Sequence, residues 1–269
     1  MTRSKPGATR HGNSEATLLF EHPMTERMRS FLRLEAILSQ TRNRKAWDTP
    51  AGGRAALASL IELASLTERG ELKREILTEL DRQRLLLAQL ASSDEVDSKR
   101  LDQALYSLEQ VQKTIEALPR RLGKNLRINE FLAAIKSRSA IPGGTCPFDL
   151  PALHFWLARP AAEREADLAH WVDELAPVEE ALSVLLAHIR QSAPAESECA
   201  RGGIYEFSPP TENPPMLLRI GVASDAGLYP KVSGGRHRVT IQFEQWKGIE
   251  ERPELLRRDV DFTLAVCRL

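Results

Sequence analysis

Apolar residues recur at helical spacing through most of the chain and then switch to alternation near residue 195. A short apolar strand is predicted over 17–20, running into Pro23. A helix starts at Thr25, an N-cap residue, with Glu26 in the first turn, where the helix dipole favours a carboxylate. Met28, Phe31 and Leu32 share its apolar face, and Arg29 and Arg33, four apart, share another. Leu57, Leu60, Ile61 and Ala64 predict a helix over 55–66 that closes at Gly70, a C-cap signal. A long charged helix follows over 71–90 with Leu72, Ile76, Leu80 and Leu87 along one side, broadened by Leu85 and Leu86. Leu101, Leu105, Leu108 and Ile115 predict a second long helix over 96–118, stopped by Pro119. The short Ser92-Ser93-Asp94 link makes the two an antiparallel hairpin. Helices near 127–139, 149–158, 161–175 and 177–192 complete this part, with prolines at their ends or first turns, where a missing N–H matters least.

After Pro194 the period is two. Met216, Leu218, Ile220 and Val222 alternate with Leu217, Arg219 and Gly221, His237, Val239, Ile241 and Phe243 with Arg238, Thr240 and Gln242, and Val260, Phe262, Leu264 and Val266 with Asp261, Thr263 and Ala265. Each run predicts a half-buried strand, and one-sided alternation favours an antiparallel sheet with a solvated face. The expected class is α+β: a mostly helical domain plus a smaller antiparallel β-domain that includes the N-terminal strand. The expected boundaries are a leader at 1–16, a strand at 17–22 joining the β-domain, a helical domain at 24–195 and the β-domain at 200–269. The leader carries Lys5, Pro6, Gly7, Arg10 and Gly12, with no apolar core or cleavage pattern, and is expected to be disordered rather than a signal peptide.

Charge narrows the function classes. Lysine plus arginine equals aspartate plus glutamate at 37 each, and a neutral chain is a poor candidate for generic nucleic-acid binding. No apolar run approaches the roughly 20 residues of a membrane span. Three separated cysteines, Cys146, Cys199 and Cys267, fit a reducing compartment without a disulfide framework, so a cytoplasmic location is expected.

The catalytic signals are weak. Phosphate-loop, dinucleotide and nucleophile-elbow motifs are absent, and the cysteines and histidines lack zinc spacing, so neither catalytic residues, metal ligands nor a cofactor are expected. Asp149 and His154 fall on one predicted helix; Asp149 is expected to cap its first turn rather than pair with His154 for catalysis. Cys146 has no neighbouring cation to activate it. The segment from Ile141 to Pro151, with Gly143, Gly144 and three prolines, predicts a compact turn that aims the helix bearing Leu153, His154, Trp156 and Leu157. Basic residues could converge as a groove: Arg29 and Arg33, Arg69 at a helix end, and Arg236 and Arg238 around His237. Arg82, Arg84, Lys99 and Arg100 look like surface decoration of the helical hairpin.

Those residues sit in a pattern. Phe20-Glu21-His22-Pro23 with Glu26, Met28, Arg29, Leu32 and Arg33, then Glu68-Arg69-Gly70-Glu71 with Glu79-Leu80-Asp81-Arg82-Gln83, resembles the ZapD family, Z-ring-associated proteins of bacterial cell division. Ile141-Pro142-Gly143-Gly144 through Asp149-Leu150-Pro151 to His154 and Trp156-Leu157, Ile189-Arg190-Gln191-Ser192-Ala193-Pro194, and Leu228-Tyr229-Pro230 with Val232-Ser233-Gly234 continue the resemblance in order to the C-terminus. The resemblance implies a non-enzymatic cytoplasmic homodimer, acting at the mid-cell division site in septation. It implies binding of the C-terminal tail peptide of FtsZ, the tubulin-like division GTPase, and bundling of protofilaments to stabilise the Z-ring. No cofactor, no nucleic acid and no direct membrane insertion are expected, on the motifs, charge balance and apolar runs above. A flexible tail with acidic and apolar residues needs a basic groove with apolar walls, and Arg29, Arg33, Arg69, His154, Arg236 and Arg238 fall in the matching motifs. Gln242 stands where some relatives carry a further arginine, so no contact is carried over there. A peptide-binding adaptor with a different partner is the alternative.

Overall fold

The computed structural model describes residues 16–43, 47–68, 71–91, 97–235 and 237–268. The fold is α+β, and the chain divides into two compact units: Thr25–Ser192, and residues 16–24 with Ala193–Arg268. Residues 1–15, Arg69, Gly70, the Ser92-Ser93-Asp94 link and Arg236 lie outside the described residues.

In the helical unit α1 spans Glu26–Thr41, and its cap forms as the sequence requires: the Thr25 hydroxyl accepts from the Met28 backbone N–H at 3.1 Å. The buried stripe is Met28, Phe31, Leu34 and Leu38, so Leu34 rather than Leu32 continues the core face. Helix α2 (Pro50–Glu68) packs on α1 and on α5 (Lys124–Ile128), α6 (Glu130–Ser139), α7 (Pro151–Ala158) and α8 (Ala161–Asp173). Its small buried residues, Gly53, Ala56 and Ala64, let those neighbours approach; a Cβ at Gly53 would sit 3.3 Å from the Trp156 ring. Helix α9 (Ala176–Gln191) packs on α1, α3 (Leu72–Leu90) and α4 (Ser98–Ala117).

Helices α3 and α4 are antiparallel neighbours, as the spacing predicts. Lys73 near the start of α3 donates to the carbonyls of Glu116 and Leu118 at the end of α4, while Asp81 meets Gln112. A lysine on two terminal carbonyls satisfies acceptors the helix itself leaves open. The core face of α3 differs from the predicted stripe: Ile76, Glu79, Leu80 and Gln83 are buried, whereas Leu85 is exposed.

The second unit holds two antiparallel sheets rather than one. The first has the order β1-β4-β8-β2, using Thr17–Pro23, Leu217–Ala223, Val260–Cys267 and Glu196–Ala200. The second has β6 (Val239–Gln245) between β3 (Ile204–Phe207) and β5 (Leu228–Gly234), with β7 (Glu254–Leu255) also paired to β6. One core joins them: Leu218, Ile220 and Leu264 from the first sheet with Val239, Ile241 and Phe243 from the second. The N-terminal strand pairs along its whole length with β4, from Thr17 opposite Ala223 to Pro23 opposite Leu217. Strand β6 alternates buried and half-buried residues as predicted, but β4 is buried on both faces, because its off-core positions include Leu217 and Gly221. Strand β2 begins at Glu196, where acidic residues conceal it from an apolar pattern. The turn into β3 needs Gly203: its φ is +79°, and a Cβ would lie 2.1 Å from the Leu256 carbonyl oxygen.

Candidate functional site

The capped first turn of α1 sets the register that stacks Arg29 and Arg33 on one side. The Arg29 Nε donates to Glu26 Oε1 at 3.3 Å, an i,i+3 pair with Glu26 almost wholly in water. Such a pair contributes about 0.5 kcal/mol or less, so a better anion can displace Glu26. Arg33 is exposed one turn further on and, among the described residues, makes no ion pair or side-chain hydrogen bond. It borders a cleft of about 160 Å³ lined by Leu34, Leu66 and Leu72 together with Glu71 and Glu75. Glu71 is already paired with Arg74 at 3.1 Å.

The compact turn predicted before α7 is built by main-chain hydrogen bonds: Gly144 N–H to the Ile141 carbonyl, and Cys146 N–H to the Gly143 carbonyl, both at 2.9 Å. Helix α7 starts at Pro151 with Leu150 as N-cap and no side-chain cap, so Asp149 does not cap it. A hydrogen bond between Asp149 and His154 is absent among the described residues. The helix is held by Trp156, whose Nε1 donates to Asp167 at 2.9 Å and whose ring packs with Phe131 and Trp171. His154 is exposed on this helix, between the exposed rings of Phe148 and Phe155 in the sequence. Helices α1 and α7 share α2 as a packing neighbour; α1 otherwise packs on α9 and α7 on α6.

In the β unit, Arg238 precedes β6, is largely exposed, and donates to Glu206 on the neighbouring β3. Thr240 donates to the other Glu206 oxygen at 3.1 Å, and the Arg238 hydrogen bond holds the Glu206 carboxyl below the usual range. Arg69 and Arg236 belong to the predicted set but lie outside the described residues. The structure therefore brings Arg29 and Arg33 onto one face, gives Arg238 an intramolecular partner, and puts His154 on a separate helix.

Sequence reasoning missed a buried polar network. Glu79 is fully buried on α3 and accepts from Arg27 at 3.1 Å, from Arg82 Nε at 3.0 Å and from Gln83 at 3.1 Å. Arg82 is thus part of this network rather than surface decoration, whereas Arg84 pairs with Asp81 near the surface. Gln83 also donates to the Leu185 carbonyl, and its amide oxygen meets His188 Nδ1 at 3.2 Å. Since both Gln83 contacts to Glu79 and Leu185 use its NH₂ group, His188 donates from Nδ1. The network ties α1, α3 and α9 together. The i, i+3, i+4 spacing of Glu79, Arg82 and Gln83 was its one signal.

Among the described residues there is no cluster of three or more histidine, cysteine, aspartate or glutamate side chains suited to a metal, and no helix long and apolar enough to cross a membrane. Cys146, Cys199 and Cys267 are free thiols, and burial pushes the Cys199 thiol up, away from the reactive thiolate.

Residues 32–242 match the family profile of ZapD, described as a cell division protein. The chain belongs to the ZapD family. The chain is 34% identical over 256 residues to the ZapD of Aromatoleum aromaticum, covering 95% of this chain and 99% of that one. It is 34% identical over 253 residues to the ZapD of Methylococcus capsulatus, covering 94% and 98%. With the ZapD of Escherichia coli O17:K52:H18 it shares 34% identity over 253 residues, covering 94% of this chain and all of that one. A role in cell division follows. ZapD likeness spans both compact units, and the profile match contains Arg33, Arg69, His154, Arg236 and Arg238, while Arg29 lies just before it.

Proposed function

We propose that the protein is a non-enzymatic cytoplasmic division factor, acting at mid-cell, that binds the C-terminal tail of FtsZ. As a dimer it crosslinks and bundles protofilaments to stabilise the Z-ring. Arg29, Arg33, Arg69, His154, Arg236 and Arg238 are the proposed contacts. The observation that carries the reading is the pair on α1: Arg33 without a carboxylate partner among the described residues, and Arg29 held only by a weak surface pair, in a ZapD-family chain.

The physics of the reading is modest affinity made useful by repetition. Ordering a flexible tail loses conformational entropy, so one groove gripping one tail binds weakly. Two grooves per dimer on a filament displaying many tails convert the second contact into an intramolecular one. The α3–α4 hairpin supports a dimer surface, with Leu85 and Tyr106 exposed on it. Such a scaffold needs neither metal nor cofactor and need not touch nucleic acid or enter the bilayer.

Co-sedimentation tests the reading. FtsZ polymers should pellet with this protein as thick bundles, and FtsZ lacking its C-terminal tail should leave it in the supernatant. Equal pelleting with tailless FtsZ overturns the proposed contact. An adaptor for another partner remains the second reading, favoured only by a protein that ignores FtsZ altogether.

A further inference from the structure

A second feature of the helical unit has the chemistry of a peptide anchor. Between α2, α5 and α6 lies a groove of about 320 Å³, with Ile61, Ala64, Leu126 and Leu132 as its apolar lining and Ala133 at its open side. The groove has a local cause. Gly123 adopts φ +61°, and a Cβ there would come within 2.9 Å of the Thr67 hydroxyl, so only glycine lets the start of α5 press against α2. That approach buries Leu126 while α6, capped by Asn129, buries Leu132.

The rim is cationic. Lys136 is paired with Glu68 at 3.2 Å. Arg127 is different: its Nε donates to the Gly123 carbonyl at 3.3 Å, and its two terminal nitrogens have no partner among the described residues. The Gly123 carbonyl holds the guanidinium half-buried beside an apolar recess, with its two-pronged end uncommitted. A planar guanidinium suits a carboxylate in two-point contact, and partial burial strengthens that contact over one in open water. The recess volume lies at the lower end for ligand sites and suits one or two side chains.

We infer that this groove takes an apolar side chain of an acidic peptide, whose neighbouring carboxylate pairs with Arg127. Two cations against one carboxylate on the rim select an anionic segment over a neutral one. The inference rests on the proposed function for the identity of that peptide, and it adds a contact apart from Arg29 and Arg33.

The test uses the full chain and a fluorescent peptide of the FtsZ C-terminal tail, read by anisotropy. Ala133→Trp fills the groove from an exposed helical position, and Arg127→Gln removes the charge; circular dichroism checks that both fold. Each should weaken binding about tenfold, Arg127→Gln through loss of one charged hydrogen-bonded contact and Ala133→Trp through exclusion of the apolar side chain. Unchanged affinity in both variants, alongside loss in Arg29→Glu, overturns the groove and leaves the proposed function standing. A wild-type chain that ignores the peptide overturns both.

Discussion

Gln83 donates to Glu79 at 3.1 Å, one turn apart on α3, and neither side chain reaches solvent. A buried carboxylate is tolerated only when its acceptor sites are filled, and here Arg27, Arg82 and Gln83 fill them. Removing the carboxylate strands two guanidinium groups, but both are about one-third exposed and can turn to water. Glu79→Ala is therefore expected to lower the unfolding free energy by about 2–3 kcal/mol, at or just below the low end for breaking a fully buried pair. Urea denaturation followed by circular dichroism measures this, and Glu79→Gln, which keeps an acceptor, should lose less.

The same network makes stability fall in mild acid. Burial depresses the His188 pKa below its ordinary 6.5, so the unfolded chain binds a proton more readily than the folded one. The contribution is fully present above about pH 6.5 and is lost as pH drops from there toward the lower folded pKa. Melting temperatures measured between pH 7.5 and 5 should decline in wild type and decline less in His188→Gln. Glu206, held low by Arg238, acts only below the ordinary carboxylate range and does not confuse that window.

Arg238 is engaged with Glu206, which sets a competition. An incoming tail carboxylate must displace Glu206 from an exposed pair, a small penalty. Glu206→Gln should leave tail binding equal or slightly tighter, whereas Arg238→Glu should abolish co-sedimentation with FtsZ polymers while the fold persists. Full binding by Arg238→Glu would remove this residue from the site.

Exposed charge pairs are screened by salt, with a Debye length near 10 Å at about 0.1 M and near 3 Å at about 1 M. Tail-peptide affinity should fall steadily as sodium chloride is raised across that range. Affinity that holds constant would place the binding on apolar contacts instead.

The elements visible in the sequence were those whose burial follows one period. The Thr25 cap forms where predicted, α4 and β6 have regular apolar spacing and appear near their predicted bounds, and α3 keeps its bounds although its buried face differs. The second sheet was hidden because β3 and β7 are too short to show alternation, and β2 of the first sheet was hidden because it carries glutamates at Glu196 and Glu198. The Glu79 network was hidden because its closure lies far along the chain, at Leu185 and His188. Arg164 is the same case: it is buried and donates to the carbonyls of Trp47, Asp48, Leu157 and Arg159, so its role depends on a segment more than a hundred residues away. For the site, the i,i+4 spacing of Arg29 and Arg33 sufficed to place both on one face. The Glu206 partner of Arg238 was not legible, since strand pairing rather than sequence proximity brings it there.

Charge reversal on α1 tests the central claim most directly. Arg29→Glu with Arg33→Glu, checked for unchanged circular dichroism and unchanged solution mass, should be sedimented with FtsZ polymers beside wild type. The account predicts that wild type enters the pellet and bundles filaments while the double variant stays in the supernatant. A folded double variant that bundles as well as wild type would contradict it.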